Sequence, residues 1–205
     1  MEFIKINNKR LGPLNFKQVK TIESVVQDFD DVNIIGNIIY LYSKSTVYKF
    51  KIEDLKILEM SSKDLLNKEN LNHQKTKFIL DVGASFGNFC IPNAQKNFNI
   101  IALEYDMQLF NYLVENINLN KKYKYIQPVL IDSDLLKNGA DSKYIKNKRS
   151  KTTVLKVLEI LNCIKFDVIR FDKRVSASVA ENIIKSIDEK LLPKTVYIQN
   201  KVISN

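Results

Sequence analysis

Asp81, Gly83, Gly87 and Glu104 have the residue types and spacing of a small-molecule binding site. They stand in the stretch FILDVGASFGNFCIPNAQKNFNIIALE, residues 78–104. Two of the chain's five glycines lie here, four residues apart, in Gly83-Ala84-Ser85-Phe86-Gly87. Glycine permits tight turns and lets backbone approach a ligand closely. Glu104 follows about 20 residues beyond the turn, the spacing at which a carboxylate takes ribose hydroxyls in a doubly wound fold. The turn would offer backbone N–H groups at a helix N-terminus, to a phosphate or to the carboxylate of an amino-acid-like cofactor. Asp81, just before the first glycine, would repel a pyrophosphate and suits an amino group or a sulfonium. That charge argument favours S-adenosylmethionine over NAD.

The elements that must hold these residues follow from the apolar pattern. Phe78 to Val82 is a short apolar run, as in a strand buried on both faces of a parallel sheet. Asn88 to Lys96 has a helical pattern, with Phe89, Cys90 and Ala94 inward and Pro92 delaying or kinking its start. Ile100 to Leu103 is a second apolar run that ends on Glu104. The unit is thus strand, glycine turn, helix, strand, acid.

At 205 residues the chain is one domain, or one domain with an appendage. It is divided here into an N-terminal extension, 1–70, and a nucleotide-binding domain, 71–205. No apolar run is long enough to span a membrane, and the N-terminus lacks the apolar core of a signal peptide. Cys90, Cys163 and the single histidine, His73, have no metal-ligand spacing. The two cysteines sit in apolar surroundings and read as reduced core residues, which points to a cytoplasmic setting. The net charge of +9 favours anionic partners such as nucleic acid, acidic glycans or a membrane surface, unless it only reflects a Lys- and Asn-rich composition.

Along the chain, Phe16 to Phe29 reads as an amphipathic helix on Val19, Ile22, Val25 and Val26. Asn33 to Tyr42 and Thr46 to Ile52 read as two strands joined at Ser43-Lys44-Ser45. Glu53 to Leu66 reads as partly helical, and 68–77 as a linker. Met107 to Leu119 has a strong helical period. Tyr123 to Ile131 is a strand that Pro128 makes short or peripheral. Asp132 follows it, where ligands collect in open α/β sheets, as an adenine-side contact or a turn cap. The segment 137–151 carries six basic residues against one acid and reads as a solvated surface. Thr153 to Leu161 is a short helix, Phe166 to Phe171 a fourth strand, Ser176 to Leu192 a helix and Thr195 to Ile198 a fifth strand.

With these residues in place the chain resembles a class I S-adenosylmethionine-dependent methyltransferase, and within that class the FkbM family. A family motif close to D-x-G-A-N-x-G-x-F stands here as Asp81 to Phe89. A second, A-x-E-P-D, stands as Ala102-Leu103-Glu104-Tyr105-Asp106. A helix ending L-x-x-N-x-x-L-N matches Leu113 to Asn120. The resemblance covers roughly 76–200. It implies a doubly wound, Rossmann-like α/β sheet, C-terminally short, with the helix and β-hairpin of the first 70 residues as an appendage. It implies that Asp81, Gly83, Ala84, Ser85 and Gly87 line the methionine end of the cofactor. Glu104 would bind the ribose, and Tyr105 would lie beside the adenine.

Two departures bear on function. Where the family's fourth strand ends in K-I-D-V-E-G, this chain has Arg170-Phe171-Asp172-Lys173-Arg174-Val175. Asp172 is kept, but the acid and glycine after it become a cation and a valine. The helix and antiparallel strand pair that usually follow the fifth strand have no room. The hairpin at 33–52, a protein partner or a second copy would then have to cover that sheet edge.

The resemblance implies methyl transfer to a hydroxyl of a sugar, glycan or other small molecule, with Asp172 as the candidate catalytic base. An RNA methyltransferase is a second reading. It draws on the charge and on Phe89 to Ala94, which also resembles tRNA guanine methyltransferases, but the N-x-P-type motif of those enzymes is missing after the fourth strand. A non-catalytic methyltransferase-like module acting with a partner is the third.

Overall fold

The computed structural model describes residues 2–6, 9–55, 77–95, 97–131, 164–185, 187–193, 195–198 and 201–204. The expectations for 56–76, for 137–151, for 153–161 and for Asp132, Cys163 and His73 lie outside the described residues.

A six-stranded sheet carries the candidate site. Its strands are β6 (Lys77–Val82), β7 (Phe98–Glu104), β8 (Ile126–Leu130), β9 (Val168–Phe171), β10 (Thr195–Ile198) and β11 (Lys201–Ser204), in the order β11-β10-β9-β6-β7-β8. β6 to β10 run parallel. β11 returns antiparallel along β10. The edge expected to lie open after the fifth strand is therefore taken by the chain's own next four residues. The expected hairpin or partner is not what pairs there. At the other edge lies β8, where Pro128, which has no N–H to donate, is tolerated.

The two faces of the sheet bury alternate residues. Ile79, Ile100, Ala102 and Val168 join one apolar cluster, and Leu80, Val82, Ile169, Phe171, Val196 and Ile198 join the other. Each fully buried large aliphatic side chain contributes about 1.5–3 kcal/mol. One face is covered by α3 (Met107–Leu119), which buries Leu109, Tyr112, Leu113, Asn116 and Ile117. Asp106 caps this helix, accepting from Gln108 N at 2.9 Å and Leu109 N at 3.0 Å. The other face is covered by α4 (Ala177–Lys185), through Val179, Ala180 and Ile183. The expected continuation of α4 to Leu192 is broken. Asp188 accepts from Lys190 N at 3.0 Å and starts a separate 3-10 turn, Glu189–Leu191.

The N-terminal part holds a hairpin, β1 (Glu2–Ile6) with β2 (Lys9–Leu14), then α1 (Phe16–Val26). Asn15 and Gln18 cap α1 reciprocally, each side chain accepting from the other's backbone N–H at 2.9 Å. The expected two strands at 33–52 are three: β3 (Asp31–Ile35), β4 (Ile38–Ser43) and β5 (Thr46–Lys51), all antiparallel. The run from Asn33 to Tyr42 folds back at Gly36-Asn37, where Gly36 takes φ +61°. A two-residue Gly-Asn turn suits a tight hairpin.

This small sheet docks on α3 by hydrogen bonds from its free edge. Asn116 Oδ1 accepts from Lys49 N at 2.8 Å. Asn120 accepts from Val47 N at 2.9 Å and donates to Val47 O at 2.6 Å. The two asparagines thus pair a strand edge much as another strand would. Tyr48 and Phe50 meet Phe86 edge to face, with ring centroids 5.4 and 5.1 Å apart. Phe86 lies inside the glycine turn, so the N-terminal sheet packs directly against the loop that forms the site. No helix among the described residues is long and apolar enough to cross a membrane.

Candidate functional site

The site lies where the strand order reverses. β6 sits in the middle of the sheet with β7 on one side and β9 on the other. In open α/β sheets, ligands bind in the crevice beyond the carboxyl ends of the strands at such a point. Asp81 comes from the end of β6, Glu104 from the end of β7 and Asp172 from the residue after β9.

The turn after β6 is built from left-handed residues: Gly83 at φ +81°, Ser85 at +55° and Gly87 at +97°. A Cβ on Gly83 would lie 3.0 Å from Asp172 Cβ and 3.2 Å from Val175 Cγ2. The missing side chain thus lets the loop after β9 close onto the turn. A Cβ on Gly87 would lie 2.4 Å from Ile91 Cδ1. Three backbone N–H groups of the turn are used within the fold. Gly83 N and Ala84 N donate to Leu103 O at 2.8 Å, and Gly87 N to Ala84 O at 3.0 Å. They are not left open as a phosphate cradle. The helix expected over 88–96 shortens to α2 (Cys90–Asn93), because Pro92 has no N–H to give to the carbonyl of Asn88.

Glu104 is fully buried and saturated. Its Oε2 accepts from Ser85 N at 2.6 Å, and its Oε1 from Tyr105 N and Asp106 N at 2.9 Å. Arg174 reaches the same carboxylate, with Nη2 2.7 Å from Oε2 and Nη1 3.4 Å from Oε1. Arg174 also donates to Gly83 O at 2.9 Å and, through Nε, to Asp172 Oδ1 at 3.0 Å. Its guanidinium carbon lies 5.2 Å from the centre of the Tyr105 ring. Burial works against this charge, but Glu104 and Asp172 outweigh it and hold the guanidinium above its ordinary range.

A second arginine sits deeper. Arg170 pairs with Asp81 at 2.8 Å and with Asp172 at 3.2 Å, and its guanidinium carbon lies 4.8 Å from the centre of the Phe89 ring. Asp81 and Arg170 are register partners on adjacent strands. Burial pushes the Asp81 carboxyl up to about 6, against the lowering effect of Arg170 and with further upward push from Asp172 and Glu104. Asp81 Oδ2 and both polar side-chain atoms of Asn88 are buried with no hydrogen-bond partner among the described residues. Burying such groups unpaired costs about 1–3 kcal/mol each, so they fit a ligand with its own polar end.

The family whose sequence profile matches the chain is the TRM5/TYW2 methyltransferase domain, matched over residues 43–166, more than half of the chain. The chain belongs to the TRM5/TYW2 methyltransferase-domain family. What the FkbM resemblance and this family share is the class I methyltransferase fold. The family assignment itself is TRM5/TYW2, not FkbM. Its match begins at residue 43, inside the N-terminal sheet, so β5 is part of the TRM5/TYW2 pattern.

Of the similar solved structures, the first named here supports the fold. A SAM-dependent methyltransferase from Agrobacterium tumefaciens is 11% identical with a TM-score of 0.50, over 81% of this chain and 53% of that one. M. jannaschii TYW2 in complex with AdoMet is 17% identical with a TM-score of 0.45, over 81% and 63%. Trm5b from Pyrococcus abyssi is 18% identical with a TM-score of 0.43, over 78% and 44%. The chain thus spans 44–63% of the length of these structures. Comparison with curated proteins gave no match.

Of the site residues expected from the sequence, Asp81, Gly83, Ala84, Ser85, Gly87, Glu104, Tyr105 and Asp172 lie together at this crevice. All but Tyr105 lie on buried backbone or side chains. Arg170 and Asn88 were not among the expected residues. A lone arginine in the apolar strand FDVIRF, one residue from the strand's end like Asp81 in FILDV, is the signal that could have paired them. Arg174, which stands where the FkbM motif has an acid, lies between Glu104 and Asp172.

Proposed function

We propose that this chain binds S-adenosylmethionine at the carboxyl ends of β6 and β7 and transfers its methyl group to an RNA acceptor. The observation that carries the cofactor reading is the convergence of Asp81, the left-handed Gly83–Gly87 turn and the buried Glu104 at the switch point of the sheet. The unpaired polar atoms of Asp81 and Asn88 fit a cofactor with an amino-acid end. RNA is favoured by membership of the TRM5/TYW2 family, together with a net charge of +9. The sugar or small-molecule hydroxyl rested on the FkbM resemblance and loses its support with it.

The bound cofactor supplies a methyl group on a positively charged sulfur. The chain's part is positioning and proton transfer. Asp81 would receive the amino group, and Glu104 would accept from the ribose hydroxyls. Tyr105 would lie beside the base. Asp172 is the carboxylate at the end of β9, where an acceptor proton could go. Both of its oxygens now accept from guanidinium groups, Oδ2 from Arg170 and Oδ1 from Arg174. Arg174 must withdraw before an acceptor can take its place on Oδ1.

The test is transfer of a radiolabelled methyl group from S-adenosylmethionine to unmodified transfer RNA, with oligosaccharide as the competing acceptor. Label in nuclease-sensitive material, falling steeply with added salt, is the expected result. Label in the oligosaccharide alone would refute the RNA reading.

A further inference from the structure

Resting on the cofactor reading above, we infer that Arg174 is a built-in occupant of the cofactor pocket, which must leave Glu104 before the cofactor's ribose can bind. The inference stands on which atoms Arg174 uses. Glu104 is the last residue of β7, and its buried carboxylate already accepts from three backbone N–H groups. Two of these fill Oε1, and the remaining site, on Oε2, is taken by Arg174 Nη2 at 2.7 Å, with Nη1 3.4 Å from Oε1. Ribose hydroxyls would need that same capacity. The guanidinium also lies over Tyr105, where the base would stack, and bonds to Gly83 O at the turn.

The contact is held from both sides. Asp172 Oδ1 accepts from Arg174 N at 3.1 Å and from Nε at 3.0 Å, so the carboxylate fixes the backbone and the head of the same residue. Val175 N returns to Asp172 O at 2.9 Å, and Val175 is fully buried against the glycine turn. The loop after β9 is thereby clamped onto the crevice.

Yet the side chain sits at the surface end of the network, with 11% exposure against 3% for Arg170. It is the arginine with a path to solvent. Displacing it needs rotation of one side chain and no break in the sheet. The clamp and the cofactor then compete for one carboxylate. The apparent affinity is lowered by the fraction of molecules in which Arg174 is closed.

The test is calorimetric titration of the full chain with S-adenosylmethionine and S-adenosylhomocysteine, in the wild type and in Arg174→Gln. Gln keeps much of the side chain's length but not its charge. Binding about tenfold tighter in Arg174→Gln, or binding seen only in that variant, is the expected result. Weaker binding by the variant would overturn the inference and leave the cofactor reading standing, because Arg174 would then be a cofactor contact. Binding by neither protein would overturn both.

A wild-type measurement covers the case in which the variant does not fold. Phenylglyoxal labelling of Arg174, read by peptide mass spectrometry, should speed up at least severalfold when S-adenosylhomocysteine is added. Unchanged or slower labelling of Arg174 under saturating cofactor would overturn the inference.

Discussion

Arg170 Nη1 lies 2.8 Å from Asp81 Oδ1, and both side chains are buried, at 3% and 0% exposure. The two residues are 89 positions apart in sequence and opposite each other on neighbouring strands. The pair places a fixed cation beneath the end of the crevice where the cofactor's amino group is proposed to bind. Arg170 bonds to Asp172 as well, so one guanidinium links the ends of β6 and β9.

Arg170→Met should therefore destabilise the fold by about 3–5 kcal/mol, since it removes the ion-pair partner of the buried Asp81 and leaves Asp172 with Arg174 alone. Urea denaturation followed by circular dichroism measures this. Adding Asp81→Asn should recover part of the loss, so that the double variant is less destabilised than the sum of the singles. Strict additivity would show that the pair is not coupled.

The same pair sets a pH dependence. The folded Asp81 carboxyl, pushed up to about 6 mainly by burial, holds its proton more tightly than the unfolded chain does. Its contribution to stability is fully present below the unfolded pKa of about 4 and is lost as pH rises through about 6. Compared with Asp81→Asn, the wild type should lose stability between pH 4 and pH 6 and then level off. Cofactor affinity should run the opposite way, rising over the same interval as Asp81 ionises to receive the amino group. A wild-type minus variant difference that is flat across this interval would contradict the assignment.

Gly87→Ala tests the turn. The residue has φ +97°, and an added Cβ would meet Ile91 Cδ1 at 2.4 Å and Leu113 Cδ1 at 3.2 Å. The backbone strain alone costs about 1–3 kcal/mol. The expected result is a lower denaturation midpoint with an unchanged denaturant slope. Gly36→Ala is the useful comparison, because it shares a positive φ of +61° but meets nothing within 4 Å. It should cost less.

The docking of the N-terminal sheet depends on Asn116 and Asn120. Asn116→Leu leaves Lys49 N and Phe86 O without their side-chain partner, at about 1–3 kcal/mol per stranded group. Amide hydrogen exchange should accelerate at Val47 and Lys49 before it does in β6 or β7. Uniform acceleration across both sheets would show that the two unfold as one unit and that the asparagines are not a local joint.

Much of this architecture was legible in the sequence, and the exceptions have physical causes. β6, the glycine turn, β7 and α3 could be read because strands buried on both faces are continuous apolar runs and α3 keeps a strict helical period. The run from Asn33 to Tyr42 was read as one strand because Ile and Tyr continue past Gly36-Asn37, and only the left-handed Gly36 turns the chain there. β11 has no counterpart in the sequence reading because its four residues carry too little pattern. Arg170 and Arg174 were visible as residue types. Their partners were not, because pairing Asp81 with Arg170 requires β9 to lie beside β6. Nothing local dictates that adjacency. Glu104 was identified from its spacing, whereas its use by Arg174 is a tertiary fact.

On the proposed reading, the buried carboxylate at the end of β7 is the cofactor's ribose site. The most direct measurement is calorimetric titration of the folded, monodisperse chain with S-adenosylmethionine, beside Glu104→Ala. The account predicts saturable one-to-one binding by the wild type, weakened at least about tenfold in Glu104→Ala, since a charged hydrogen-bonding partner is lost. Equal affinity in the two proteins, or no binding by the wild type and none on removal of the Arg174 charge, would contradict it.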